Sequence, residues 1–513
     1  MPLPNEHESP AMPVRIQREI VWLVLLAVLA SVVLLVRLGS APITESAEER
    51  CFEVAAGMYA GQGLLVPYMD GAPRLNKPPL YYWLVFASAK LCGAMSYFSL
   101  RLPATLSALC LLVVTACWAR ALLGAGAGLL AAFLLALMLQ FYTLGRRGVA
   151  EMPLALFCTL ALLAFDAAFF RSARRALPWF ALWVLLGFLT KATAALLLIA
   201  LPIVVTLLVH RSLRRALRWR VAGWITAALG LGLVWYVVIV LIVPGAFDAL
   251  YSAALLPVGV ETQAPAARHY RPVWYYVSEM FIAAAPASLL VPLVAWRAAS
   301  SRCLAGEPRR RFVAIAFATM FVALSILPQK QKHYLVSLLP LFAILCADAL
   351  ERCYALRRGA FDRCLRWFGV LALALGAVAA ALIILFLHVV KGAALAWVLP
   401  FALITWLAFA AAAMQARAHQ ARPCALWFAL GMFAILLLHF GGVDPWRREV
   451  EAAAEAPAGT ATANGRASLA QWQALADHHP LVARLFNVRV HDGAARAQPP
   501  NRAGVEDGDD DGS

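Results

Sequence analysis

The chain has 513 residues, 63% of them hydrophobic and only 14% charged, with a formal net charge of +16 and a mean hydropathy of +0.75. A soluble domain is nearer half apolar and a quarter charged. No water-soluble shape of this size hides so much apolar surface, which leaves helices that use a bilayer as solvent and satisfy their own backbone hydrogen bonds. The cationic excess, which would suggest nucleic acid in a soluble chain, is what the cytoplasmic loops of a membrane protein collect, so no nucleic-acid partner is expected.

In chain order, residues 1–18 form a polar cytoplasmic lead that ends in Arg15 and Arg18. The apolar run 20–38 follows, too long for a signal-peptide core and without a clean cleavage site, so it reads as an uncleaved first crossing. Further apolar runs cover 101–121, 125–144, 150–170, 177–190, 192–210, 221–243, 273–296, 312–328, 334–350, 367–389, 394–414 and 424–441. The expected fold is an all-α polytopic membrane protein of about 13 transmembrane helices, its transmembrane domain spanning 19–441. The short run 177–190 leaves open that it and 192–210 are one long kinked helix. Arginines gather at 171–175, 211–220, 297–311, 352–366 and 417–422, the alternation expected for a cytoplasmic N-terminus and an outer C-terminus.

The first outer (periplasmic) loop, 39–100, is long. Two stretches in it, Ala47 to Ala60 and the Tyr/Trp-rich Pro79 to Leu91, have the character of interfacial helices. The segment 442–513 is expected to lie on the same outer side, with a small folded part to about Val490 and a disordered acidic end, GVEDGDDDGS. Ten cysteines form no CxxC pair or zinc pattern and lie mostly in apolar runs. Cys51 and Cys92 share the outer side, which leaves a disulfide open.

Four outer segments carry chemistry-bearing residues: Ile43 to Arg50, Pro73 to Trp83, Gly145 to Pro153 and Gln329 to Tyr334. Singly, charges beside a span are ordinary snorkelling caps. Together they place acids, cations and aromatics at one depth on one face, which fits a sugar carried on a lipid phosphate. Breaking its C1–O bond leaves negative charge on the phosphate, which Lys and Arg stabilise, while a carboxylate takes a proton or steadies an oxocarbenium-like sugar. There is no Walker-type loop for a nucleotide and no ligand cluster for a metal, so neither cofactor nor metal is expected.

These segments resemble the lipid-carrier-dependent glycosyltransferases of the GT-C type, among them the bacterial aminoarabinose transferases and, more distantly, the protein O-mannosyltransferases. The resemblance rests on Glu48-Glu-Arg50, Lys77-Pro-Pro-Leu-Tyr-Tyr-Trp83, Arg147-Gly-Val-Ala-Glu151-Met and Lys330-Gln-Lys-His-Tyr334, with Thr190-Lys191 and Trp274-Tyr-Tyr276, in order over about the first 350 residues. Where the family has its first acid this chain has Ala47, with Glu45 one turn earlier, and Cys51 stands for an expected Tyr. The resemblance implies Glu48, Glu151 or Glu45 as catalytic carboxylates and Lys77, Arg50, Lys330, Lys332 and Tyr334 at the donor phosphate. It places Tyr81, Tyr82, Arg147 and His333 along the substrate, with Arg268 or Arg271 as a further phosphate ligand. The implied activity is transfer, with inversion, of a sugar from a polyprenyl-phosphate donor to lipid A or another glycolipid, at the outer face of a bacterial inner membrane. A transporter or flippase for a lipid-linked sugar is the alternative; it would more often show paired repeats and mid-membrane charges, which this chain lacks.

Overall fold

The structure is a computed structural model that describes residues 14–43, 46–210, 219–255, 271–299, 307–327, 330–356, 358–386, 395–418, 421–455 and 463–478. Long stretches of Leu, Ala and Val without charge can only close their backbone hydrogen bonds within the segment, and helices dominate accordingly. Among the described residues, seven helices are long and apolar enough to cross a membrane, or nine if two bent pairs each count as one crossing. The first of these pairs is Gly126–Leu137 with Leu139–Gly145, bent by 69°, and the second is Tyr275–Ala283 with Ala287–Ala298, bent by 116°. Glu19–Leu35 and Ala402–Arg417 are shorter apolar helices.

The order begins with α1 (Val14–Leu35) and α2 (Ser46–Tyr59), then β1 (Tyr68–Met69), β2 (Ala72–Pro73) and α3 (Leu80–Cys92). The 39–100 loop therefore holds a small antiparallel hairpin between its two helices, which the sequence reading does not contain. Asp70 and Gly71 turn it with φ of 51° and 74°, a conformation the Asp-Gly pair supplies. Glu53 of α2 accepts the Asp70 N–H at 2.8 Å and pins the turn to the helix.

The bundle continues with α4 (Tyr97–Leu123), α5 (Ala125–Leu137), α6 (Leu139–Gly145), α7 (Glu151–Phe165), α8 (Ala176–Val209) and α9 (Trp219–Ile242). α8 contains the two runs read as 177–190 and 192–210. It is interrupted at Lys191, whose φ and ψ are −160° and 83°. A Cβ on Gly187 would lie 3.4 Å from the Ala195 Cβ and 3.5 Å from Ile199 Cδ1. In a straight helix those residues would be about 12 and 18 Å along the axis, so the chain folds back at Lys191 into two antiparallel arms rather than one long rod.

Later come α10 (Ala246–Leu255), α11 (Tyr275–Ala283), α12 (Val291–Ala299), α13 (Pro308–Ile326), a 3-10 stretch Lys332–Leu338 running into α14 (Leu339–Leu356), α15 (Arg358–Leu385), α16 (Leu395–Arg417) and α17 (Ala421–Leu438). A π-helical stretch, His439–Val443, joins α17 to α18 (Asp444–Glu455), which packs on α19 (Ala463–His478). The acidic end, like Glu45 and Arg268, lies outside the described residues.

Buried ion pairs collect at the two ends of the bundle. At one end Arg309 grips Asp166 at 2.7 and 2.9 Å, and Arg297 and Arg310 meet Asp348 at 2.9 and 3.0 Å. At the other lie Glu48, Glu151 and their partners. Cys51 is buried and Cys92 exposed, and both are free thiols, so the disulfide left open by the sequence is not formed.

Candidate active site

The first polar centre forms around Glu48 on α2. Ser96 caps α4 through a reciprocal pairing with Ser99, and one turn on, Arg101 points back to α2. Its Nε and Nη2 donate to Glu48 at 2.7 and 3.2 Å, and its Nη1 donates to the carbonyls of Leu38 and Ala41 at 2.8 Å. The Gly148 N–H donates to Glu48 Oε1 at 2.8 Å and Arg448 of α18 lies 3.5 Å from Oε2. Gly148 must be small there, because a Cβ would collide with the Leu100 side chain. Burial by itself would raise the Glu48 carboxyl, but Arg101, Arg448 and the Gly148 N–H outweigh it and hold the group below its ordinary range.

Glu48 is therefore a wholly buried carboxylate that accepts three hydrogen bonds and pairs with a second arginine, Arg448. The expectation of a catalytic base does not fit this geometry; the residue ties α2, α4, the 145–151 loop and α18 together. Arg101 and Arg448 were absent from the sequence reading. Arg146 was also missed. It is buried and donates to the carbonyls of Val33, Leu34, Val36 and Phe440 at 2.6–3.4 Å, closing the end of α1.

A second centre forms at Glu151, the first residue of α7, where the free N–H groups of a helix start favour an anion. Lys191, at the fold of α8, lies 3.3 Å from Glu151 Oε1, and His333 Nε2 also lies 3.3 Å from that oxygen. Lys191 Nζ sits 4.6 Å over the Tyr334 ring, whose edge meets the His333 ring at 4.8 Å. Lys77 is half-buried and near enough to act electrostatically on both Glu151 and His333. Lys77 precedes Pro78-Pro79 between the β1–β2 hairpin and α3, and Pro79, at φ −84° and ψ −11°, caps the start of α3. Glu151 and His333 retain 12% and 25% of their side-chain exposure, so this centre opens outward where Glu48 does not.

Other expected residues are placed elsewhere. Lys330 is 3% exposed and donates to the carbonyls of Arg271 and Leu327, so its charge is turned into the backbone, not toward a phosphate. Lys332 is 72% exposed and pairs with Glu279 at 3.5 Å, away from Glu151. Tyr81 is buried with its hydroxyl donating to the Leu100 carbonyl at 3.3 Å, and Tyr82 is buried beside Arg74; both are packing residues of α3, not substrate-lining ones. Arg271 stacks at 5.8 Å on Tyr275. Arg50 and Arg147 are half-buried, Arg50 acting electrostatically on Tyr82 and Arg147 on His333 and Asp444. Lys191, marked in the sequence only by the Thr190-Lys191 pair, is a further cation of this centre.

Residues 76–240 match the family model described as dolichyl-phosphate-mannose-protein mannosyltransferase. The chain is 27% identical over 351 residues to undecaprenyl phosphate-alpha-4-amino-4-deoxy-L-arabinose arabinosyl transferase 1 of Sodalis glossinidius, covering 66% of this chain and 61% of that protein. It is 24% identical over 345 residues to the corresponding transferase of Serratia proteamaculans, covering 66% of this chain and 60% of that protein. The chain thus spans about three fifths of the length of the curated relatives it matches. A crystal structure of ArnT from Cupriavidus metallidurans bound to undecaprenyl phosphate superposes with a TM-score of 0.67 at 22% identity, over 84% of this chain and 79% of that one. The chain has the fold of ArnT. It resembles the lipid-carrier-dependent glycosyltransferases of the GT-C type, as the ordered segments of the sequence imply. Lys77, Glu151 and Lys191 all fall inside the matched residues 76–240.

Proposed function

We propose that this chain is a membrane glycosyltransferase that moves a sugar from a polyprenyl-phosphate donor to an envelope acceptor such as lipid A or another glycolipid. The observation that carries the proposal is Glu151, held with Lys191 and His333 each at 3.3 Å and Lys77 close by, at the mouth of an otherwise apolar bundle. The cations suit a lipid phosphate, and the one partly open carboxylate suits the reacting sugar. The curated relatives act on undecaprenyl-phosphate-linked aminoarabinose, and ArnT is seen with undecaprenyl phosphate, which supports the same class of donor here.

In the proposed reaction an acceptor oxygen forms the new bond to C1 from the face opposite the phosphate. The C1–O(phosphate) bond breaks with its electron pair, inverting the centre, and the carrier leaves as its phosphate. Lys77 and Lys191 neutralise that growing charge, with Arg50 and Arg147 helping to set the positive field around the site. A hydroxyl acceptor gives its proton to Glu151; a phosphate acceptor is already an anion and needs no base. His333 and Tyr334 orient Glu151 and Lys191.

The proposed topology has thirteen crossings, counting the arms of α8 separately and each bent pair as one. It puts the N-terminus in the cytoplasm and the 39–100 loop, the Glu151 centre and the 442–513 segment on the periplasmic side of a bacterial inner membrane. The test uses purified full-length protein in detergent with a radiolabelled undecaprenyl-phosphate sugar and lipid A. Label should move to lipid A with wild type, and Lys77→Ala should lower kcat/KM by about tenfold or more, the worth of one charge-assisted hydrogen bond. No transfer in detergent, with donor translocation in vesicles, would instead identify a transporter.

A further inference from the structure

The bundle end remote from Glu151 carries a second built site. A cavity of about 360 Å³ runs between α11, α12, α13 and α14, with a wall of almost wholly apolar side chains that includes Phe281, Phe317 and Phe321. That volume is within the range of ligand pockets. One end of the cavity is charged, where Arg297, Arg310 and Asp348 line it. Arg297 is only 4% exposed. Its Nε donates to Asp348 at 2.9 Å and its Nη2 to Glu307 at 3.0 Å, while Arg310 reaches Glu307 at 3.3 Å and Asp348 at 3.0 Å. Among the described residues the buried Arg297 Nη1 has no hydrogen-bond partner. A buried guanidinium donor without an acceptor is costly, and Arg297 lines the charged end of the cavity.

We infer that this cavity binds a membrane phospholipid with a zwitterionic head, phosphatidylethanolamine, from the leaflet opposite the Glu151 centre. Its phosphate accepts from Arg297 Nη1 and one hydrocarbon chain fills the slot. Along α13 the lining extends from Arg310 to Phe321, a rise of about 16 Å. That matches half of a hydrocarbon core about 30 Å thick, the depth one leaflet's chain occupies. The head-group chemistry follows from the charges. Two arginines and two carboxylates already cancel, so the cluster has no surplus charge for an anionic lipid. A zwitterion returns both interactions, its phosphate on Arg297 and its ammonium on Glu307, which keeps 33% of its side-chain exposure.

The test is native mass spectrometry of full-length protein titrated with phosphatidylethanolamine, phosphatidylglycerol or diacylglycerol. Wild type should retain one phosphatidylethanolamine, binding it roughly tenfold more tightly than diacylglycerol, the worth of one charge-assisted hydrogen bond, and more tightly than phosphatidylglycerol. Arg297→Gln should remove the preference over diacylglycerol. Ala318→Phe, which puts a ring into the slot and leaves all four charges in place, should lower retention of every lipid, and it decides the matter alone if the arginine variant does not fold. Equal retention by wild type and Ala318→Phe, or equal affinity for the three lipids, overturns the assignment.

Discussion

Two glutamates that look alike in sequence sit in different surroundings. Glu48 is enclosed by Arg101, Arg448 and the Gly148 N–H, whereas Glu151 keeps an opening beside Lys191 and His333. Removing one partner of a buried ion pair leaves an uncompensated charge, so Arg101→Ala should destabilise the fold by about 3–5 kcal/mol, read as a lower thermal midpoint in detergent. Because the folded Glu48 carboxyl is held below its unfolded value of 4.5, its contribution is complete above about pH 4.5 and lost as pH falls through the folded value. Thermal midpoints measured downward from neutral pH should therefore drop in wild type below that point, and less in Glu48→Gln. Burial pushes the Cys51 thiol up to about 11, so maleimide at neutral pH should modify the exposed Cys92 and leave Cys51 unmodified in the folded protein, as peptide mapping would show. The sequence displayed Lys77, Glu151 and His333 because motif spacing marks them. It could not display Arg101, whose partner is 53 positions away, nor say which of Arg146 and Arg147 turns inward. That depends on where α1 ends against α6, a tertiary fact.

The fold of α8 at Lys191 links chain geometry to the site. Folding back places Lys191 at the bend shared by both arms, where it meets Glu151 at the start of α7 and Tyr334 at the start of the 332–356 stretch. Hydropathy alone shows two apolar runs around one lysine and cannot separate a kink from a reversal; the contact of Gly187 with Ala195 separates them. Gly187→Leu should force the arms apart. The expected cost is about 1–3 kcal/mol from overpacking, with loss of transfer at temperatures where the protein is still folded, because Lys191 would leave Glu151. Circular dichroism together with the transfer assay checks both parts. The β1–β2 hairpin was illegible for a different reason: two-residue strands carry too little alternation to register, although the Asp70-Gly71 pair is a turn signal.

Across the whole molecule, the apolar runs and the alternation of arginines showed a polytopic helical chain, and each apolar run lies on helical backbone for most of its length. What they could not show is how the two charged ends are built. Asp166 is fifteen positions beyond Glu151 along the continuous 151–170 helix, about 22 Å by helical rise, so the two polar layers are separated by most of the depth of a hydrocarbon core about 30 Å thick. Impermeant maleimide applied to spheroplasts should label Cys92 if the 39–100 loop faces the periplasm; labelling only after the membrane is opened would reverse the orientation. In the proposed reaction Glu151 acts on the sugar while the surrounding cations hold the lipid phosphate. The deciding measurement follows, on one preparation of Glu151→Gln, both undecaprenyl phosphate binding and transfer from the labelled donor to a hydroxyl acceptor. Binding close to wild type with transfer lowered by about 10²–10⁴-fold is the predicted result, and transfer at the wild-type rate contradicts it.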